Sequence, residues 1–217
     1  RATSMTSPIK YGMFVMPYHY PDKPLFQCYD EDLEAAVLCD QLGFSEFWIG
    51  EHHTILRESI PLPEAFIARV LPATENIRLG AAPTCLNQHN PAAVATRLGF
   101  LDHLTKGRLN LCFGPGSTAS DMELFGLDFK ASSAMTREAI DMILTLWSTE
   151  PPYDIEGEFW HINMTEQFSE DIGFGYIHKP YQQPHPPISM PAMSRNSGSM
   201  KTAGKYGFQP FVAALVT

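Results

Sequence analysis

Short apolar runs alternate along this chain with longer segments whose apolar residues recur three and four positions apart, and Gly or Pro marks most boundaries. Tyr11–Met16, ended by Pro17, reads as a buried strand. Asp30–Leu42 reads as a helix with an acidic first turn (Asp30, Glu31, Asp32), an inward face of Leu33, Ala36 and Val37, and a stop at Gly43. Phe44–Gly50 is the next strand and Pro63–Leu71 the next helix. Ile77–Ala81 is a third strand, and Pro91–Leu104 a helix with proline preset for its first turn. Lys106 and Gly107 then turn the chain into a fourth strand, Leu109–Phe113. Ile140, Ile143, Leu144 and Trp147 share one face of a helix over Ala134–Ser148. Strand five is Ile188–Met190, followed by a helix over Ser197–Tyr206 and a sixth strand over Phe208–Val216.

Between Thr149 and Pro187 the alternation breaks. Pro, Gly and aromatic residues dominate there, with a small hairpin expected about Gly157 inside Ile155–Trp160. A stretch of this length inside an α/β pattern suits an insertion or an active-site lid. Strand–helix alternation with short connections predicts a parallel sheet. Neither GxGxxG nor GxxxxGK[ST] occurs, which removes the main support for an open nucleotide-binding sheet. A TIM (β/α)8 barrel fits better, with about six of its eight βα units present, so residues 1–217 are expected to form one barrel domain incomplete at its C-terminal end.

Composition narrows the function classes. The net charge of −9 and the lack of a basic run argue against nucleic acid as a partner. No apolar stretch is long enough to span a bilayer, and the first residues lack a signal-peptide core. Cys28, Cys39, Cys85 and Cys112 show no CxxC pair, so reduced thiols in a soluble cytoplasmic protein are expected.

In a barrel, chemistry gathers after the C-terminal ends of the strands. Glu51-His52-His53 follows strand two, and Ala82-Pro83 with Asn87-Gln88-His89-Asn90 follows strand three. Gly114, Gly116 and Asp121 follow strand four, and Ser194-Arg195-Asn196-Ser197-Gly198-Ser199 follows strand five and opens a helix. A helix start with small polar residues suits a phosphate, though Ser197 could equally act as a plain cap. His52-His53 admits a structural role as well as a catalytic one. Neighbouring side chains in a strand point to opposite faces, so the pair cannot easily share an ion, and no metal is expected. Gly114 and Gly116 suit either a tight turn or close backbone approach to a flat ring.

These segments, taken in order, resemble the bacterial luciferase-like flavin monooxygenases. Ile9–Phe14, Leu42–Phe44, Phe47–His53, Leu79–Ala82, Asn90-Pro91, Leu101–Arg108, Leu124–Gly126 and Ala203–Gly207 carry the resemblance along the chain. Lys179–Pro187 is similar to the two-component members that act on hydrophobic substrates such as terpenes and alkanes. The resemblance implies reduced FMN supplied by a separate flavin reductase, reaction with O2, and oxygenation of a hydrophobic substrate through a C4a-peroxyflavin. It implies a catalytic His52 beside the flavin and a carboxylate, Asp121, near the flavin edge. Ala82-Pro83 corresponds to a cis peptide beneath the ring, and Asn196 through Ser199 to the phosphate turn. Where some members carry a phosphate-binding arginine after strand four, this chain has Pro115, so either Arg195 takes that place or no residue does. A homodimer through the second and third helices is also implied. Two alternatives stay open: F420-dependent hydride transfer on the same fold, and a non-catalytic flavin-binding subunit.

Overall fold

The computed structural model describes residues 9–16, 18–193 and 197–212. In chain order the elements are β1 (Gly12–Val15), α1 (Leu25–Gln41), β2 (Glu46–Ile49), α2 (Pro63–Val70), β3 (Arg78–Ala81), β4 (Thr84–Cys85), α3 (Pro91–Thr105), β5 (Leu109–Gly114) and α4 (Ala119–Leu124). There follow α5 (Ser132–Ser148), the hairpin β6 (Tyr153–Glu156) and β7 (His161–Met164), then β8 (Ile188–Ala192), α6 (Gly198–Tyr206) and β9 (Gln209–Val212). The main sheet runs β1-β2-β3-β5-β8-β9, parallel at every step, with β4 added against β5.

Residue parity along the strands builds two layers. Phe47 and Ile49 on β2, Leu79 on β3, and Leu109, Leu111 and Phe113 on β5 pack in one core with α2, α3 and α5. Each such side chain contributes about 1.5–3 kcal/mol by leaving water. The alternate residues Trp48, Cys112 and Phe211 meet in a second cluster on the other face. Neighbouring strands lie about 4.8 Å apart, so a flat sheet in this order would hold β1 and β9 roughly 24 Å from one another. Instead the rings of Phe14 on β1 and Phe211 on β9 sit 5.6 Å apart, edge to face, and Trp48 lies 5.2 Å from Phe211. The sheet therefore curls on itself as a barrel wall does, and the strands' C-terminal ends converge.

Gly80 makes room for this inner layer. A Cβ there would stand 2.5 Å from the Trp48 ring and 2.8 Å from the carbonyl oxygen of Asn110. Gly80→Ala is expected to cost about 1–3 kcal/mol by overpacking, read as a lower urea midpoint with an unchanged slope.

Several boundaries differ from the sequence expectation. Helix α1 begins at Leu25, with Pro24 in the N-cap position and no side-chain cap, so Asp30, Glu31 and Asp32 lie inside the helix and its first turn carries no acid. These acids serve tertiary contacts instead: Asp30 pairs with Arg69, Glu31 with Lys23 and Asp32 with His19. β1 is an outer strand of the sheet, and Met13 and Phe14 are exposed rather than buried. The hairpin about Gly157 is present but longer than expected. Glu138 of α5 accepts from the backbone N–H groups of Glu158, Phe159 and Trp160 and so fixes its turn. The sixth strand is described over Gln209–Val212, and residues 213–217 lie outside the described part.

Candidate active site

The strand ends open onto a cleft of about 360 Å³. Its lining divides by chemistry. Phe14, Met16, Met193 and Phe211 are apolar; Ala82, Pro83, Cys112 and Pro191 come from the ends of β3, β5 and β8; Glu51, His52, Thr118 and Asp121 can exchange or hold protons; and Ser197 and Ser199 come from the start of α6.

After Ile49 the chain leaves β2, and successive side chains turn to different partners. His52 sits between two elements. Its Nδ1 lies 3.3 Å from the Thr118 hydroxyl and 3.9 Å from Asp121, while its Nε2 lies 3.4 Å from Glu58. Asp121, 2% exposed, comes from α4 and accepts from the backbone N–H of His53 at 3.3 Å, from that of Thr54 at 2.7 Å, and from the Thr54 hydroxyl. Its carboxylate thus staples the loop carrying the histidines to the segment after β5.

Glu51 also lines the cleft and collects a second network. One oxygen accepts from His89 at 2.6 Å and from His53 at 3.3 Å, and the other accepts from the Cys85 backbone N–H at 3.0 Å. Burial works against this charge, yet the bonds from His53 and His89 outweigh it and hold the carboxyl at about 2. The same contact raises His53 above its ordinary value, against burial and with help from the charges of Glu51 and Asp121. Glu51, His53 and His89 place three possible metal-ligand atoms within 4.8 Å of one another. Bonds of about 2.0–2.2 Å to a metal would spread ligand atoms to roughly 3 Å or more, so the 2.6 Å contact is that of a hydrogen bond. The opposed directions expected for His52 and His53 are present. What the sequence did not reveal is that His89 joins His53 at Glu51.

Ala82-Pro83 is a cis peptide at the cleft, at the position where the resemblance placed one. Gly116, with φ of 68°, lines the cleft, and a Cβ on it would meet the Cys85 sulfur at 2.9 Å. Gly114 does not line it: the space its side chain would need holds Pro191 at 2.8 Å and Pro83 at 3.1 Å, so this glycine lets two prolines pack together. Cys28, Cys39, Cys85 and Cys112 are all free and buried, and burial pushes the Cys112 thiol up to about 12.

At α6 the Ser197 hydroxyl accepts from the Met200 backbone N–H at 3.2 Å, so this side chain caps the helix. Gly198 and Ser199 border a small recess shared with Ser133, Thr136 and Arg137 of α5. Arg137 was not singled out from the sequence, because an exposed basic residue on a helix carries no distinguishing pattern. Ser194, Arg195 and Asn196 lie outside the described residues.

Residues 9–215 match the Luciferase-like monooxygenase family. The chain is similar to limonene 1,2-monooxygenase of Rhodococcus erythropolis, 39% identical over 142 residues covering 65% of this chain and 37% of the relative. It is also similar to 2,5-diketocamphane 1,2-monooxygenase 1 of Pseudomonas putida, 30% identical over 93% of this chain and 56% of the relative. Among solved structures, the oxygenating constituent of 3,6-diketocamphane monooxygenase from Pseudomonas putida, a type II Baeyer-Villiger monooxygenase in complex with FMN, superposes with a TM-score of 0.85. It is 28% identical, over 94% of this chain and 57% of that one. The chain spans about half the length of the curated relatives it matches.

Proposed function

Because the chain belongs to the luciferase-like monooxygenase family, we propose that its cleft holds FMN and that the protein uses the reduced cofactor with O2 to oxygenate a hydrophobic organic substrate. The observation that carries this reading is the cleft itself, where an apolar lining and a buried histidine–carboxylate cluster meet at the C-terminal ends of parallel strands. Gly116 lines the cleft with backbone alone, and its φ of 68° is one that glycine adopts without strain. Ala82 and Pro83 offer an apolar seat to the ring.

The phosphate belongs at α6. The amides of Gly198 and Ser199 open that helix and have no partner within it, and the helix dipole favours an anion there. Arg137 of α5, which forms no ion pair among the described residues, supplies positive charge beside them. Bound in its reduced form, the flavin supplies the two electrons needed to activate O2. Phe14, Met16, Met193 and Phe211 exclude water and favour an apolar substrate, and His52 holds or releases a proton at the cleft. Reduction falls to a separate flavin reductase, in keeping with a similar protein described as an oxygenating constituent. Pairing of two copies through α2 and α3 belongs to the same proposal, with Phe100 and Leu104 exposed on α3. No helix among the described residues is long and apolar enough to cross a membrane, and the free thiols favour a cytoplasmic setting.

A binding titration tests the reading. The purified chain is expected to retain FMN through desalting. Ser199→Asp, which sets a negative charge at the start of α6, is expected to weaken FMN about tenfold and leave riboflavin, which has no phosphate, unaffected. Retention of F420 with rejection of FMN would replace oxygenation by hydride transfer.

A further inference from the structure

Glu58 has no part in the reading above, yet its surroundings are unusual for a carboxylate. Its side chain is 16% exposed, its Oε2 is sealed from solvent, and that oxygen makes no hydrogen bond to the described residues. The group facing it is His52 Nε2 at 3.4 Å. A buried anionic oxygen is costly unless a donor or a cation answers it, so the geometry keeps a proton on Nε2. The other ring nitrogen, Nδ1, is then free to accept, and the Thr118 hydroxyl lies 3.3 Å from it. Thr118 lines the cleft together with His52. Carboxylate, imidazole and hydroxyl therefore stand in a row that ends at the space where reactants bind.

We propose that Glu58, His52 and Thr118 form a one-proton relay, in which Thr118 exchanges the proton with bound reactants, His52 carries it and Glu58 is a positioning residue. The relay rests on the flavin reading only for what occupies the cleft. In the inward direction a group in the cleft gives a proton to Thr118 Oγ1 as the existing Thr118 O–H bond breaks and an Nδ1–H bond forms on His52. The net change is one proton moved from cleft to ring, and the imidazolium so formed lies between Glu58 and the Asp121 carboxylate 3.9 Å away. The reverse sequence delivers a proton to a developing anion. The arrangement follows the logic of hydroxyl–histidine–carboxylate triads, in which the acid fixes the ring's tautomer. Here the hydroxyl conducts a proton and forms no covalent intermediate.

The test uses ¹⁵N-histidine-labelled protein, with the His52 signals identified by their loss in His52→Ala. The neutral ring is expected to carry its proton on Nε2, and Glu58→Leu to abolish that preference. Should Glu58→Leu fail to fold, Glu58→Gln, which can offer donor or acceptor, is expected to lose it as well. Reoxidation of bound reduced FMN by O2 is expected to slow about tenfold or more in Thr118→Val and to stay within about threefold in Thr118→Ser, with FMN affinity unchanged in both. A ring protonated on Nδ1 in the parent protein, an unchanged tautomer in Glu58→Leu, or equal slowing in the Val and Ser variants would overturn the relay. Failure of the parent chain to bind FMN would sink the flavin reading alone, because the tautomer is read without cofactor.

Discussion

Replacing His52 with Ala is expected to cut substrate oxygenation by about two orders of magnitude or more while leaving FMN affinity within about threefold. The asymmetry follows from where His52 stands. It lines the cleft with an ionisable ring, but the groups proposed to hold the cofactor lie elsewhere, at Ala82, Pro83 and Gly116 and at the start of α6. The ring is 16% exposed and its partners are Glu58, Thr118 and Asp121, so its removal leaves two carboxylates near a small void. Asp121 keeps its bonds from the amides of His53 and Thr54, which should hold the loop in place. The measurement is product formation in the complete protein, with limonene and 2,5-diketocamphane as first probes because similar enzymes are named for them, beside FMN titration of the same sample. Equal product formation in the variant would remove His52 from the chemistry. Lost FMN affinity would make it a binding residue.

The main layers were legible because two periodicities are strong in this chain. Phe47, Ile49 and Leu79 alternate with Trp48 and Gly80, and that alternation alone separates the helix-facing core from the inner layer. The short segments were not legible. β4 is two residues long and α4 is six, and neither length carries a readable period. The start of α1 was misplaced because acidic residues suggested a first turn, whereas the helix begins five residues earlier, at Leu25 directly after Pro24. At the site the sequence put forward His52, three residues after β2, and Asp121, in the short helix after β5. It did not supply Glu58, Thr118 or Arg137, nor the meeting of His89 with His53 at Glu51, because these relations arise only when separate segments are brought together. Gly114 shows the reverse case: its place after a strand suggested contact with a ring, but only the fold reveals that Pro83 and Pro191 already fill that space.

Glu51→Ala is expected to destabilise the protein by about 3 kcal/mol or more at pH 7, and Glu51→Gln to flatten the acid limb of its stability profile. Glu51 is 3% exposed, and its removal leaves His53, His89 and the Cys85 N–H without their shared acceptor. Its carboxyl is held at about 2 in the folded protein against 4.5 as an unperturbed group. A depressed acid stabilises the fold above pH 4.5 and loses that contribution as pH falls toward 2. The difference amounts to roughly 3 kcal/mol. His53, raised above 6.5 by the same contact, acts in the opposite sense: its contribution is complete below 6.5 and declines as pH rises through its folded value. The two shifts describe one interaction and are not added. The network should therefore favour the fold most between about pH 4.5 and 6.5, with a steep loss on the acid side. Urea unfolding at pH 3, 5.5 and 8 would read both limbs. The parent protein should lose more stability between pH 5.5 and 3 than Glu51→Gln does, by roughly 2 kcal/mol. Identical acid slopes in the two proteins would mean that other carboxylates govern acid unfolding and that Glu51 contributes to the site through shape alone.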